Sequence, residues 1–145
     1  MSEEASRWVT SRIGATGFRV DVTARTHSLI GDEPVDVRGT DLGPTPYEYL
    51  LTAIGTCTVM TLRLYADRKG FPLEGAAVML RSGQSHERDC ENCAKEKVGI
   101  GRVERRIELL GALTDEQKMR LLEIADRCPV KQTLERGIKV ETITE

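Results

Sequence analysis

One stretch, TPYEYLLTAIGTCTVMTLRLYADRKG from Thr45 to Gly70, constrains the fold of this chain more than any other. Both of its ends carry helix-end signals. Thr45 suits an N-cap, whose side-chain oxygen accepts from an otherwise unpaired amide. Pro46 suits the first helical position, and Glu48 completes a T-x-x-E capping box. Gly70 fits the left-handed residue that follows a helix, and Arg68 and Lys69 lie favourably against the negative end of the dipole. No charged residue occurs between Glu48 and Arg63. The spacing therefore predicts one helix of about 24 residues, roughly 36 Å long. It is apolar on every face through its middle, the signature of a helix buried all round rather than lying on a surface. Cys57 sits mid-helix, on the stripe of Leu50, Ala53, Ile54, Met60 and Leu64. A buried cysteine is commonly an inert small hydrophobe. For Cys57 to be reactive, a cation or a base has to come from elsewhere in the fold, because mid-helix sulfur gains nothing from its own helix end.

A chain of 145 residues is read as a single domain, 1–145, long enough to enclose a core. The net charge of −2 offers nucleic acid or an anionic membrane no electrostatic attraction, and 4% aromatic content provides few stacking platforms for bases. The opening MSEEASRW is acidic where a signal peptide is basic. The longest uncharged run, Tyr49 to Leu62, has 14 residues and is too short to span a bilayer. A cytoplasmic, reducing location is the expectation. Cysteines there are more often catalytic or metal-binding than structural staples.

The flanking segments alternate between strand and helix signals. Phe18, Val20, Val22 and Ala24 alternate with Arg19, Asp21, Thr23 and Arg25, the pattern of a half-buried strand, and Arg7 to Ile13 is a partner across a turn at 14–17. His27 to Val35 reads as a turn around Gly31-Asp32 and then an extended piece. The turn-rich GTDLGP, 39–44, delivers the chain into the long helix. A strand at Ala76–Arg81 and the alternation of Val103, Ile107 and Leu109 with Arg102, Glu104, Arg106 and Glu108 predict a long hairpin around a polar loop. Thr114 and Gln117 open a second helix with the stripe Met119, Leu121, Leu122, Ile124 and Ala125. Pro129 stops it near Arg127. Cys128 caps a short third helix that ends at Gly137, and Ile138–Ile143 reads as a last strand.

Cys128 stands where free backbone amides and the helix dipole favour a thiolate, with Arg127 and Lys131 adding positive charge. The alternative is a cysteine merely tolerated at a cap. Cys90-Glu91-Asn92-Cys93 with His86 has the spacing of part of a zinc site, but no fourth Cys or His lies close by. A charged loop with incidental thiols is the competing reading.

Two motifs taken together carry a resemblance. The run GTDLGPTPYEYLLTAIGTCTVMTLRLYADRKG, followed by DRCPVKQTLERGIKVET, resembles the OsmC/Ohr family, and Asp32-Glu33-Pro34 resembles its subgroup with a DEP motif before the long helix. The likeness runs from about Phe18 to Thr142. It implies an α+β fold in which bent antiparallel sheets surround a long buried central helix, in an intertwined homodimer. It also implies a thiol peroxidase needing no metal, haem or flavin. In that family the cysteine of the long helix, here Cys57, attacks the peroxide, and the cysteine of the CP motif, here Cys128, resolves the product.

The activating residues that the resemblance asks for are a glutamate and an arginine. Tyr47 occupies the position expected for the glutamate, with Glu48 one residue later and already suited to the capping box. Arg25, at the end of the second strand, is the arginine, with Arg38 as a rival; His27 nearby is a base or a polar tip packed under the sheet. The leading expectation is a reductase of organic hydroperoxides. It would run a Cys57 sulfenic acid and a Cys57–Cys128 disulfide, and be recycled by an external dithiol. The alternative is a non-catalytic dimer of the same fold that binds a small apolar or thiol-reactive ligand. A third reading makes the His86–Cys93 loop a zinc-dependent element that recruits a partner.

Overall fold

The computed structural model describes residues 7–83 and 99–144. The expected metal ligands His86, Cys90 and Cys93 lie outside the described residues. The chain divides into two compact units, residues 1–50 with 83–101 and residues 51–82 with 102–145.

In the first unit, β1 (Val9–Ile13), β2 (Val20–Ala24) and β3 (His27–Gly31) form an antiparallel sheet in that order. Ile13 pairs with Val20, and Ala24 pairs with His27 across a two-residue turn. The half-buried positions of β2 are Val20, Val22 and Ala24, the alternation expected of a strand with one wet face. β3 corrects the reading of His27–Val35 as a turn followed by an extended piece. Its five residues pair fully with β2, and Pro34 leads instead into a 3₁₀ turn at Val35–Val37. The Gly31-Asp32 turn signal thus marks the end of a strand, not the middle of a loop.

The DEP motif closes the segment that follows. The Asp32 carboxylate accepts from the Glu33 amide at 2.8 Å, the Thr40 hydroxyl at 2.5 Å and amide at 3.3 Å, and the Leu42 amide at 3.2 Å. The hydroxyl bond above all, helped by these amides and opposed by burial, lowers its pKa from 3.8 to about 2. Backbone packing is equally close. A Cβ on Gly43 would lie 2.1 Å from the Ile30 carbonyl oxygen, so no larger residue fits. The Tyr49 hydroxyl donates to that same carbonyl at 2.5 Å.

Helix α1 spans Pro46–Lys69, with the expected caps. The Glu48 amide donates to Thr45 Oγ1 at 3.2 Å, and the Thr45 amide donates to Glu48 Oε1 at 3.0 Å. At the other end Gly70 is left-handed, and the Phe71 amide reaches back to the Ala66 carbonyl at 2.9 Å.

In the second unit, β4 (Gly75–Ser82) and β5 (Val103–Leu110) form the long antiparallel hairpin, Ser82 pairing with Val103 and Gly75 with Leu110. Helix α2 (Asp115–Ala125) opens with a reciprocal Thr114–Gln117 capping box, and α3 (Pro129–Arg136) follows with Cys128 at its N-cap. The core is built from Leu62 and Ala66 of α1, Leu73, and Leu121, Ile124 and Ala125 of α2, with Ile107 and Leu109 of β5 packed against it.

Two expectations need correction here. α1 has the length and apolar composition of a bilayer span, yet within the chain it is not buried all round. Only Ile54, Thr58, Leu62 and Ala66, spaced by four, are buried. Met60 and Leu64 remain 65% and 53% exposed, and Ala53 is exposed as well. A stripe with period four is one face of a helix. Thr58 can belong to it because its hydroxyl donates to the Ile54 carbonyl at 2.7 Å. The second correction is the last strand. Residues 138–143 pair with no strand among the described residues, and Ile138, Val140 and Ile143 are exposed. The alternating pattern is present, but a strand requires a neighbour to take up its backbone hydrogen bonds.

Candidate functional site

Helix α1 and the start of α3 bring Cys57 and Cys128 together. Both are free thiols, and each is near enough to shift the pKa of the other. Their surroundings differ. Cys128 is wholly buried, while Cys57 is partly exposed.

The position of Cys128 follows from its local sequence. Pro129 lacks the amide that the first turn would leave unpaired, so the helix starts there and the preceding residue becomes the cap. The Gln132 amide bonds the Cys128 carbonyl at 3.0 Å. The Cys128 sulfur makes no side-chain capping bond and lies 4.0 Å from the Ile54 carbonyl.

The electrostatics of the pair divide along these lines. Burial alone would raise the Cys128 thiol. The Cys57 thiol, the Lys131 amide, the Thr58 hydroxyl and the Val130 amide together outweigh it, and its pKa is lowered. Burial pushes Cys57 up, and its hydrogen bond to Cys128 adds to that; the Val130 amide and the Thr61 hydroxyl oppose the rise. Of the two, Cys128 is therefore the sulfur that gives up its proton more readily. Such pairs titrate as a unit. Chemically, a partly exposed thiol is thus paired with a buried thiol whose pKa is the lower of the two.

Behind Cys128 stands a residue that the sequence reading did not single out. Arg105 of β5 has a side chain only 14% exposed. Its guanidinium donates to Thr58 Oγ1 at 3.3 Å, to the Ala125 carbonyl at 3.2 Å and to Asp126 Oδ1 at 2.9 Å. The available signal was the alternation itself. Residue 105 falls on the face of Val103, Ile107 and Leu109, where a charge is out of place.

The remaining expected residues stand as follows. Glu48 is engaged in the capping box at the first turn of α1. Arg25 is exposed at the β2–β3 turn with φ +55°, a conformation that side chains other than glycine rarely adopt. Arg38 is also left-handed, and its guanidinium lies over the Phe18 ring, 5.6 Å from the centroid. His27 is exposed at the start of β3 and is not packed under the sheet. No cluster of metal-ligating side chains occurs among the described residues. A cavity of about 450 Å³ in the second unit is lined by Val59, Met60, Arg63, Leu64, Leu73 and Ala76; Cys57 does not line it.

Antiparallel sheets, one long helix carrying a mid-helix cysteine, and a second cysteine capping a short helix define an α+β thiol protein. The profile of the OsmC-like protein family matches residues 39–143, and the chain belongs to that family. Curated proteins yield no match to its sequence. Solved structures agree on the fold. The OsmC-like protein from Mycoplasma pneumoniae superposes with a TM-score of 0.72 at 17% identity, over 88% of this chain and 85% of its own. An organic hydroperoxide resistance protein OsmC from Legionella pneumophila, described as a predicted redox protein and regulator of sulfide bond formation, gives 0.61 at 16% identity, over 86% and 87%. A putative organic hydroperoxide resistance protein from Vibrio cholerae, with captopril bound in one of its active sites, gives 0.53 at 18% identity, over 86% and 82%.

Proposed function

We propose that the protein is a cysteine-based peroxidase acting on organic hydroperoxides, with Cys57 as the attacking sulfur and Cys128 as the resolving one. The observation that carries this reading is the pairing of a partly exposed Cys57 with a buried Cys128 at a helix N-terminus, each shifting the other's pKa. Membership of a family that includes organic hydroperoxide resistance proteins supplies the substrate class.

In the proposed cycle the reacting pair starts with the proton on Cys57 and the charge on Cys128, the sulfur with the lowered pKa. As peroxide approaches, Cys57 passes its proton to Cys128 and attacks the distal peroxide oxygen. The O–O bond breaks, and the leaving alkoxide takes a proton from Cys128 and departs as an alcohol. Cys57 is now a sulfenic acid and Cys128 a thiolate. That thiolate attacks the Cys57 sulfur, displaces hydroxide and closes a Cys57–Cys128 disulfide. An external dithiol reduces it in two exchange steps, becoming oxidised itself. Such a cycle suits a reducing compartment, and a cytoplasmic location belongs to the same proposal.

A second subunit belongs to this proposal as well. Met60 and Leu64 on α1 and the unpaired, alternately apolar 138–143 segment are surfaces that a homodimer would cover. One observation favours a different reading: Glu48 is engaged in the capping box in both directions, so a base on α1 is not free in the form that the family resemblance asks for. In that reading the fold binds a small ligand without turnover. Hydroperoxide consumption by the purified protein with several dithiols separates the two. Turnover that Cys57→Ser abolishes supports the peroxidase, and an inactive wild type contradicts it.

A further inference from the structure

Among the described residues of the second unit, Arg105 is a mostly covered charge that neither the fold nor the thiol chemistry described so far requires. Val103 and Ile107 lie on either side of it on the same strand face, where an aliphatic side chain would suit the sheet. Its three hydrogen bonds converge on one small region. The Ala125 carbonyl closes α2, Asp126 begins the corner between α2 and α3, and Thr58 lies on α1 one residue from Cys57. Ala125 and Asp126 immediately precede Arg127 and Cys128 in the chain, and the Thr58 hydroxyl acts on the Cys128 thiol.

We propose that Arg105 is a positioning residue for the cysteine pair, holding the Thr58 hydroxyl and the α2–α3 corner so that the Cys128 sulfur is fixed against Cys57. Thr58 is the link. Its oxygen accepts from Arg105, which leaves its single proton free to point elsewhere. That proton points at the Ile54 carbonyl at 2.7 Å, and the hydroxyl is also close enough to the Cys128 sulfur to favour its charged form. When Cys128 carries charge, the proton swings from the carbonyl to the sulfur, and Arg105 polarises the hydroxyl in that direction. The other groups facing Cys128 are Cys57 from α1 and the Val130 and Lys131 amides from α3. Asp126 pairs with Arg105 and lies 3.7 Å from the Lys131 ammonium, which is also paired with Glu135. Arg105 and Lys131 therefore share the Asp126 carboxylate, with Arg105 the closer of the two.

The inference rests on the thiol reading, but its test needs no peroxide. In a Cys90→Ser/Cys93→Ser background only the Cys57–Cys128 pair titrates as thiol, since the chain has four cysteines. Ultraviolet thiolate absorbance against pH then gives the first midpoint of the pair. Arg105→Met should raise that midpoint by about one pH unit, roughly tenfold less thiolate at a pH below both midpoints. Thr58→Val, which keeps the volume and removes the hydroxyl, should raise it in the same direction, while Thr58→Ser should leave it at the wild-type value. The Arg105→Met/Thr58→Val double variant should shift it no further than the larger single change, as expected of residues acting through one path. Midpoints of Thr58→Val and Arg105→Met equal to wild type would overturn the proposal, and a lowered melting temperature alone would then make Arg105 a structural pin. Should Arg105→Met fail to fold, equal midpoints for Thr58→Val and Thr58→Ser overturn it just the same. A protein that never turns over hydroperoxide can still pass this test.

Discussion

Oxidising the cysteine pair should stabilise the fold, by an amount that follows from the structure. Cys57 and Cys128 are near enough in the reduced protein to shift each other's pKa, and the proposed cycle joins them in a disulfide. They are about 71 residues apart in the chain. Closing a loop of that length removes about 15 cal/mol/K from the unfolded ensemble, or about 4 kcal/mol at room temperature. The loss of the thiol hydrogen bond between the two sulfurs offsets about 1 kcal/mol of this. For a chain of this size the remainder corresponds to a rise of roughly 10 °C in melting temperature. The assay is differential scanning calorimetry at one fixed protein concentration. It would compare protein treated with one equivalent of organic hydroperoxide with protein kept in excess dithiol, both with Cys90→Ser/Cys93→Ser. An oxidised form that melts at or below the reduced form would refute the reasoning, because the folded pair would then not accommodate the disulfide without strain.

Asp32 should make stability fall in acid. Its folded pKa is lowered to about 2 from the ordinary 3.8, so its contribution is fully present above about pH 4 and is lost as pH falls towards 2. Urea midpoints should therefore separate wild type from Asp32→Asn at pH 6 and converge near pH 2; a gap that does not change with pH refutes this. For the dimer, Leu64→Glu places a charge on the exposed apolar face of α1 and should shift sedimentation to the monomer, while the wild-type melting temperature rises with concentration. A wild type that sediments as a monomer at every concentration contradicts the second subunit.

The parts of the fold that were legible in the sequence are those set by neighbours along the chain. Both ends of α1 followed from Thr45, Glu48 and Gly70, because a capping box and a left-handed glycine are local hydrogen-bonding devices. The β4–β5 hairpin followed from period-two alternation, and Cys128 from the proline after it. What escaped depends on contacts between distant segments. β3 was hidden because Leu29 and Ile30 are adjacent and blur the alternation, while the Gly31-Asp32 turn signal drew the reading towards a loop. The apolar run of α1 disguised which face is covered, since composition has no direction around a helix. Residues 138–143 carry a strand pattern without a strand to pair with. Thr58 and Arg105, 47 residues apart, meet only once β5 and α1 are folded, and nothing between them in sequence announces the contact.

The measurement that tests the account most directly is peptide mapping of the wild-type protein after one equivalent of an organic hydroperoxide. The account predicts a Cys57–Cys128 disulfide within one chain, formed in step with release of the alcohol. In Cys128→Ser the same treatment should leave a sulfenic acid on Cys57. Recovery of Cys57 as a free thiol while hydroperoxide persists, or oxidation confined to Cys90 and Cys93, would contradict it.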